Sequence, residues 1–336
     1  MDLSQRIAAG WQTRGLAAVL LLPLAGLFAL AVNLRRLAYR LGWLPSVRLP
    51  VPVLVVGNIT AGGSGKTPLV LYLAQELARH GWQPGLISRG YGGSATGVEA
   101  VSPQSDAARV GDEPLLLARR SGCPVYVGRD RVAAAQALLA AHPECNLLIA
   151  DDGLQHLRLA RDVEVVVMDE RGLGNGWPLP AGPLRECPAR LATAEALVLN
   201  GAASLPPGIV PCRLFRMSLA GARWRNLLDP QRTCDAGMLR GRALRALAGI
   251  GHPARFFRQL EEMGLQAETR AFPDHHAFQP ADLALHGAEA LLMTEKDAVK
   301  CQAFEPPETW VQPVDAQLDP DLAHWVLEKL NGSPPA

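Results

Sequence analysis

The residues in this chain with the clearest chemistry are Thr60-Ala61-Gly62-Gly63-Ser64-Gly65-Lys66-Thr67. They follow an apolar, β-branched run at 53–56 and precede the helical pattern LVLYLAQELARH. Strand, glycine loop, Gly-Lys-Thr and helix in this order make up the phosphate-binding P-loop unit. Backbone N–H groups of such a loop point at phosphate oxygens, and the helix N-terminus adds partial positive charge. Lys66 is expected to neutralise the β- and γ-phosphates, and the Thr67 hydroxyl to ligate Mg²⁺. Pro68 fits the first helical turn, where a missing N–H costs nothing. The standard spacing places a glycine five residues before Gly65, where this chain has Thr60. A plain glycine turn with an incidental lysine is the competing interpretation, but the order of the elements favours a nucleoside triphosphate site.

Three further groups carry titratable side chains at suggestive places. The apolar run 146–150 ends in Asp151-Asp152-Gly153-Leu154-Gln155-His156. A strand terminating in Asp is the Walker B arrangement, in which a carboxylate holds Mg²⁺ directly or through water. Either Asp151 or Asp152 can be that ligand, and a solvated turn is the alternative. Asp112, in Gly111-Asp112-Glu113-Pro114, stands before a Pro-containing first turn, the usual place of an N-cap. A catalytic carboxylate is the other reading. Pro273-Asp274-His275-His276 offers metal binding or acid–base chemistry, against an ordinary surface loop.

Stepping along the chain, strands alternate with helices, which predicts a parallel, doubly wound sheet. Strands are expected at 84–88, 125–128, 163–168 and 196–200, the last closing the first domain. The strand 84–88 runs into Arg89-Gly90-Tyr91-Gly92-Gly93, at the end of a sheet where ligands sit, although the loop alone reads as a glycine turn. Arg129-Asp130-Arg131 opens an alanine-rich helix, and a long Gly/Pro loop carries Arg185 and Glu186. The segments 212–217 and 222–227 are candidates for a two-stranded ribbon. A second α/β pattern follows, with strands at 243–250, 267–272 and 309–314 and a closing helix at 322–330. The predicted division is a helical anchor at 1–45, a P-loop domain at 46–205, a ribbon linker at 206–232 and a smaller α/β domain at 233–336.

With 336 residues and 49% hydrophobic content, two cores are affordable by size. A net charge of +1 gives no electrostatic case for nucleic acid. Six scattered cysteines without a C-x-x-C pair argue against a zinc site or disulfide framework, consistent with a reducing, cytosolic setting. The uncharged stretch 16–32 is marginal in length for a spanning helix and contains Pro23. A signal peptide, preceded by Arg6 and Arg14 and ending in an A-x-A pattern, and a buried core helix both compete with a membrane anchor. The anchor suits Arg35, Arg36, Arg40 and Arg48, which follow and can meet anionic headgroups from the cytosolic side.

Together the motifs GNITAGGSGKTP, SRGYGG, GDEP, DDGLQH, LPAGPLRE, DHH and TEKDAVK, behind an apolar amino-terminal segment, resemble the tetraacyldisaccharide 4'-kinase family of lipid A biosynthesis. The likeness spans nearly the whole chain, and Thr60 agrees with that family's variant P-loop. It implies Mg²⁺-dependent transfer of the γ-phosphate of ATP to a sugar hydroxyl of a bilayer-embedded acylated disaccharide phosphate, at the inner membrane with the catalytic domains in the cytosol. It also implies two α/β/α lobes joined by a β-ribbon. Carried onto this chain, it makes Asp112 the catalytic carboxylate with His275 as partner, His276 being the alternative, and Lys66 part of the catalytic set. Asp151 or Asp152, with Glu186 and Thr67, would organise the metal. Arg89, Tyr91, Arg129, Arg131, Gln155 and His276 are candidates for holding substrate. No protein partner is implied. A membrane-associated GTPase or regulatory ATPase is the rival; its guanine-reading motif has only a superficial echo in Thr294-Glu295-Lys296-Asp297.

Overall fold

The computed structural model describes residues 10–332 apart from Ala222 and Pro320. Arg6, the first cation ahead of the apolar run, and Ala222, the expected start of a ribbon strand, lie outside the described residues. Two sheets organise the chain. The first runs, in spatial order, β15 (Asp315–Asp319), β8 (Leu214–Ala220), β7 (Ala196–Asn200), β6 (Val163–Met168), β1 (Val53–Gly57), β5 (Leu147–Asp151), β2 (Pro84–Ser88), β4 (Val125–Val127) and β3 (Glu99–Val101). Every pairing from β8 to β4 is parallel, and the two edge strands are antiparallel. Parallel strands covered on both faces need unbroken apolar runs, which VLVVG and LLIAD supply. Alternate side chains of β1 feed opposite layers: Leu54 and Val56 meet Leu69, Val70 and Leu73 of helix Lys66–Arg79, while Val53 and Val55 join Val132, Ala135 and Leu138 of helix Arg131–Ala141.

The second sheet runs β10 (Thr233–Asp235), β9 (Arg223–Asn226), β14 (Thr309–Gln312), β13 (Ala290–Thr294), β11 (Leu244–Ala248) and β12 (Ala267–Ala271). Its β14-β13-β11-β12 part is parallel. Helix Pro253–Glu262 packs Phe256 and Leu260 on one face, against Trp224 and Leu292. Ala298, from helix Glu295–Cys301, joins Leu247, Leu291 and Met293 on the other.

A ribbon joins the lobes, but its partners differ from those expected. Strands β8 and β9 do not pair with each other. Each continues into its own lobe, β8 against β15 and β9 against β14, with Ala220 opposite Asp315 and Arg225 opposite Val311. The two antiparallel chains crossing between lobes are therefore β8–β9 and β14–β15. They approach closely at Gly221, where an added Cβ would lie 2.1 Å from the Pro313 carbonyl oxygen. Consequently β7 is not the last strand of the first sheet. Residues 233–336 are not one unit either: β15 and helix Leu322–Gly332 return to the first lobe, where Trp325 meets Phe215 at 5.7 Å between ring centroids.

At the amino end, helices Leu16–Leu20 and Leu22–Arg40 bury only Ala18 and Ala25, which removes the core-helix reading. Leu20, Leu24, Leu27, Leu30, Leu34, Leu37 and Leu41 recur every three or four residues and all are exposed. The opposite face docks on the first lobe through Arg35, whose guanidinium donates to the Gln155 carbonyl at 3.2 Å, and Arg36, 3.0 Å from Glu186. Among the described residues no helix is long and apolar enough to cross a membrane.

Candidate active site

The P-loop connects β1 to helix Lys66–Arg79 and needs glycine where the backbone turns left-handed. Gly62 (φ +96°) and Gly65 (φ +92°) are such positions, and a Cβ on Gly65 would come within 2.3 Å of Asn200 Nδ2. Thr60 explains the unusual spacing: it forms an antiparallel bridge with Leu184, an extended conformation that makes no demand for glycine. Asn58 donates to the Gly62 carbonyl at 3.2 Å, Asn200 to that of Ser64 at 2.9 Å and Arg171 to that of Gly63 at 2.6 Å, which fixes the loop from three sides. Neither Asn200 nor Arg171 was signalled by sequence, because each arrives from the end of a different strand.

Lys66 is buried, with Nζ 3.6 Å from Asp152 Oδ1. Asp152 takes two hydrogen bonds from Arg185, at 3.0 and 2.9 Å. Burial alone would push its carboxyl up, but Lys66 and Arg185 hold it well below the usual range. Asp151 ends β5 fully buried, accepts a 3.4 Å contact from the Ser88 hydroxyl, and has Oδ1 unpartnered. Burial, reinforced by the Glu113 charge, pushes its carboxyl upward. Ser64 Oγ is likewise buried without a partner.

Asp112 is not an N-cap. It is the first residue of helix Asp112–Arg120, whose cap is Gly111, and its buried carboxylate faces the other lobe. His275 Nδ1 lies 3.0 Å from both Asp112 oxygens, across 163 residues of sequence. Burial works against both charges, yet the mutual hydrogen bond wins: Asp112 stays below the ordinary carboxylate value, helped by Lys296, and His275 is raised above the ordinary imidazole value. His276 turns away, to Asp282 Oδ2 at 3.1 Å, and its ring stacks on Phe272. The loop 89–93 is more than a glycine turn. Tyr91 packs edge-on to His275 at 4.9 Å, and Gly92 turns the loop through the left-handed region (φ +80°) beside that imidazole.

Helix Glu295–Cys301 supplies two cations that sequence reasoning left without a role. Lys296 bonds Glu113 at 2.9 Å and Asp274 at 3.2 Å, and Lys300 stands 3.8 Å from Asp112. Their i, i+4 spacing on a helix was the available signal. Asp297 is consumed structurally, accepting from Thr294 Oγ1 at 2.8 Å and from the Gly249 amide at 3.0 Å, so it is not placed to read a base.

Two cavities flank this assembly. One, of about 520 Å³, opens between the lobes and is lined by Lys66, Thr67, Glu113, Gly251, Arg255 and Lys296. The other, of about 430 Å³, is lined by Arg35, Arg36, Arg89, Arg129, Arg131 and Arg185, with Asp152, Gln155 and Glu186 among them and Phe28 and Val32 from the amino-terminal helix. Glu186 lines this second cavity and not the interlobe cleft. It accepts from Gln155 Nε2 at 2.8 Å and neighbours Arg190 at 3.6 Å as well as Arg36, and Asp152 lines the same cavity. Among the described residues no cluster of three or more His, Cys, Asp or Glu is arranged to hold a metal without other ligands. Mg²⁺ bound by one or two carboxylates plus phosphate oxygens needs no such cluster.

Comparison with known proteins places this geometry. The sequence profile of the family described as "Tetraacyldisaccharide-1-P 4'-kinase" matches residues 17–331. The tetraacyldisaccharide 4'-kinase of Azoarcus sp. (strain BH72) is 53% identical over 327 residues, 97% of this chain and 96% of that protein. The one from Dechloromonas aromatica (strain RCB) is 56% identical over 315 residues, 93% of this chain and 92% of that protein. A crystal structure described as the "apo" form of LpxK from Aquifex aeolicus in complex with ATP superposes with a TM-score of 0.79 at 29% identity, covering 94% of this chain and all of that one.

Proposed function

This chain belongs to the tetraacyldisaccharide-1-P 4'-kinase family and is an ATP-dependent kinase of lipid A synthesis; we propose that the two cavities divide its substrates between them. ATP occupies the interlobe cleft, its phosphates on the P-loop amides and Lys66. The anionic headgroup of the acylated disaccharide enters the arginine cavity. The observation that carries this reading is the Asp112–His275 pair, whose neighbours reach both cavities: Glu113, next to Asp112, lines the cleft, and Arg89, two residues from the Tyr91 that packs on His275, lines the arginine cavity.

A sugar hydroxyl has a pKa far above neutral and must lose its proton as its oxygen attacks the γ-phosphorus. Asp112 takes that proton while the bond from phosphorus to the β,γ-bridging oxygen breaks and ADP departs. His275 donates Nδ1–H to Asp112, orienting the carboxylate and stabilising its charge. Lys66 offsets charge on the transferring group. The donors fit Mg²⁺: the Thr67 hydroxyl and the Asp151 and Asp152 carboxylates are hard oxygen ligands, and the orphaned Asp151 Oδ1 and Ser64 Oγ are buried polar atoms in want of a partner. When bound, the ion would neutralise β- and γ-phosphate oxygens. Gln155, Arg129 and Arg131 serve the headgroup, whereas His276 is a packing residue.

The exposed leucine stripe supports a membrane role. The helix Leu22–Arg40 lies in the interface of the inner membrane with its leucines in the acyl region, while its opposite face lines the arginine cavity. Headgroup and acyl chains of one lipid can thus be met by one helix. The test is label transfer from γ-labelled ATP to a detergent-solubilised monophosphorylated tetraacyl disaccharide. Wild type is expected to label the lipid; Asp112→Ala should lose roughly 10²–10⁴-fold in kcat with ATP affinity retained, and Lys66→Ala should lose both. An unchanged turnover number would remove Asp112 from the mechanism. Free phosphate without labelled lipid would point to a regulatory NTPase.

A further inference from the structure

Resting on the reading of Asp112 and His275 as the acid–base pair, we propose that Lys300 is a positioning residue for the phosphoryl transfer: from the second lobe it holds the Asp112 carboxylate in its anionic form and in its reactive orientation. Lys300 lies in the last turn of helix Glu295–Cys301, with Nζ 3.8 Å from Asp112 Oδ2 and 2.8 Å from Asp297 Oδ1. Its side chain is only 10% exposed and runs over the Phe278 ring, 5.0 Å from the centroid. Asp297 is itself immobilised by Thr294 and by the Gly249 amide. Lys300 and Asp297 therefore form a fixed dipole whose cationic end points at Asp112.

The other groups around Asp112 do not duplicate this arrangement. His275 occupies both carboxylate oxygens through one nitrogen, and Lys296, whose charge also favours the Asp112 anion, is bonded to Glu113 and Asp274 and makes no direct contact with Asp112 at ion-pair distance. Glu113, next to Asp112 in its helix, adds negative charge that opposes ionisation. The buried Lys300 charge is thus shared between Asp297 and the proposed base. Because Lys300 and Asp112 sit on different lobes, the base acquires this support only when the lobes are apposed as here.

An opposite charge within 4–6 Å lowers a carboxyl pKa by about one unit or more. Removing Lys300 should therefore move the acidic limb of the kcat/KM–pH profile upward by about one pH unit, while the KM for ATP changes little. The variants are Lys300→Met, Lys300→Arg and the double variant Lys300→Met/Asp297→Asn, which avoids leaving Asp297 unpaired if the single change unfolds the protein. Support is an upward limb in Lys300→Met and in the double variant, returned toward wild type in Lys300→Arg. A double variant with the wild-type limb overturns the proposal and leaves Lys300 as a structural counter-ion of Asp297. Asp112→Asn is measured alongside: wild-type turnover there would sink the acid–base reading itself, a failure distinct from that of Lys300.

Discussion

His275 and His276 adjoin in sequence and have separate roles. The first bonds Asp112 across the lobe boundary; the second bonds Asp282 and is packed by Phe272 and Phe278. His275→Ala should lower kcat by roughly 10²-fold or more with the fold intact. His276→Ala should instead lower stability by about 1–3 kcal/mol, read in chemical denaturation, with kcat retained. The Asp112–His275 pair also predicts a pH dependence of stability. The folded His275 is raised above its ordinary 6.5, so its contribution is fully present below that value and is lost as pH rises through the folded value. Asp112, depressed below its ordinary 3.8, contributes above that value and loses its part as pH falls through the folded value. Thermal melts from pH 4 to 9 should show a loss on the alkaline side that disappears in Asp112→Ala; an identical slope in both proteins would refute the pairing.

One helix, Glu295–Cys301, carries much of the contact between the lobes. Its Glu295 is 7% exposed and is clamped by Arg120 from the first lobe and by Arg225 of β9, while Arg120 also bonds Asp315 of the ribbon. Burial pushes the Glu295 carboxyl up, with the two arginines opposing it. Lys296 and Lys300 continue the same helix toward Glu113 and Asp112. Glu295→Gln would leave Arg120 with a weakened partner in a mostly buried place, costing about 3 kcal/mol in denaturant unfolding. The acidic limb of the pH profile should stay where it is, since Glu295 does not touch Asp112. A shift of that limb would mean that the ion cluster, and not Lys300, sets the state of the base.

Over the whole molecule, an apolar stripe lies on the outer face of the amino-terminal helix, the same helix lines the arginine cavity, and the P-loop lines the cleft between the lobes. The stripe exposes seven leucines along one face of the amino-terminal helical segment, and Arg35, Arg36 and Arg40 lie at its carboxyl end. Leu27→Asp/Leu34→Asp should abolish sedimentation with vesicles containing anionic lipid while detergent-assay turnover persists. The wild-type protein should bind less as salt rises, because the arginine contribution is screened. Vesicle binding unchanged by the leucine substitutions would rule out the stripe as the membrane face.

Sequence by itself determined what is local: the P-loop between its strand and helix, the buried strands from unbroken apolar runs, the alanine-rich helix opening at Arg129-Asp130-Arg131, and the family from the ordered set of motifs. These rest on backbone stereochemistry and on side-chain periodicity, both of which act over a few residues. Tertiary structure decided the partners. It paired His275 rather than His276 with Asp112, made Asp112 a buried first-turn carboxylate instead of a cap, placed Glu186 among arginines, exchanged the ribbon strands and returned helix Leu322–Gly332 to the first lobe. Each of these is a contact between residues far apart in the chain, and its energy comes from burial and charge pairing that exist only once the two sheets are formed and apposed.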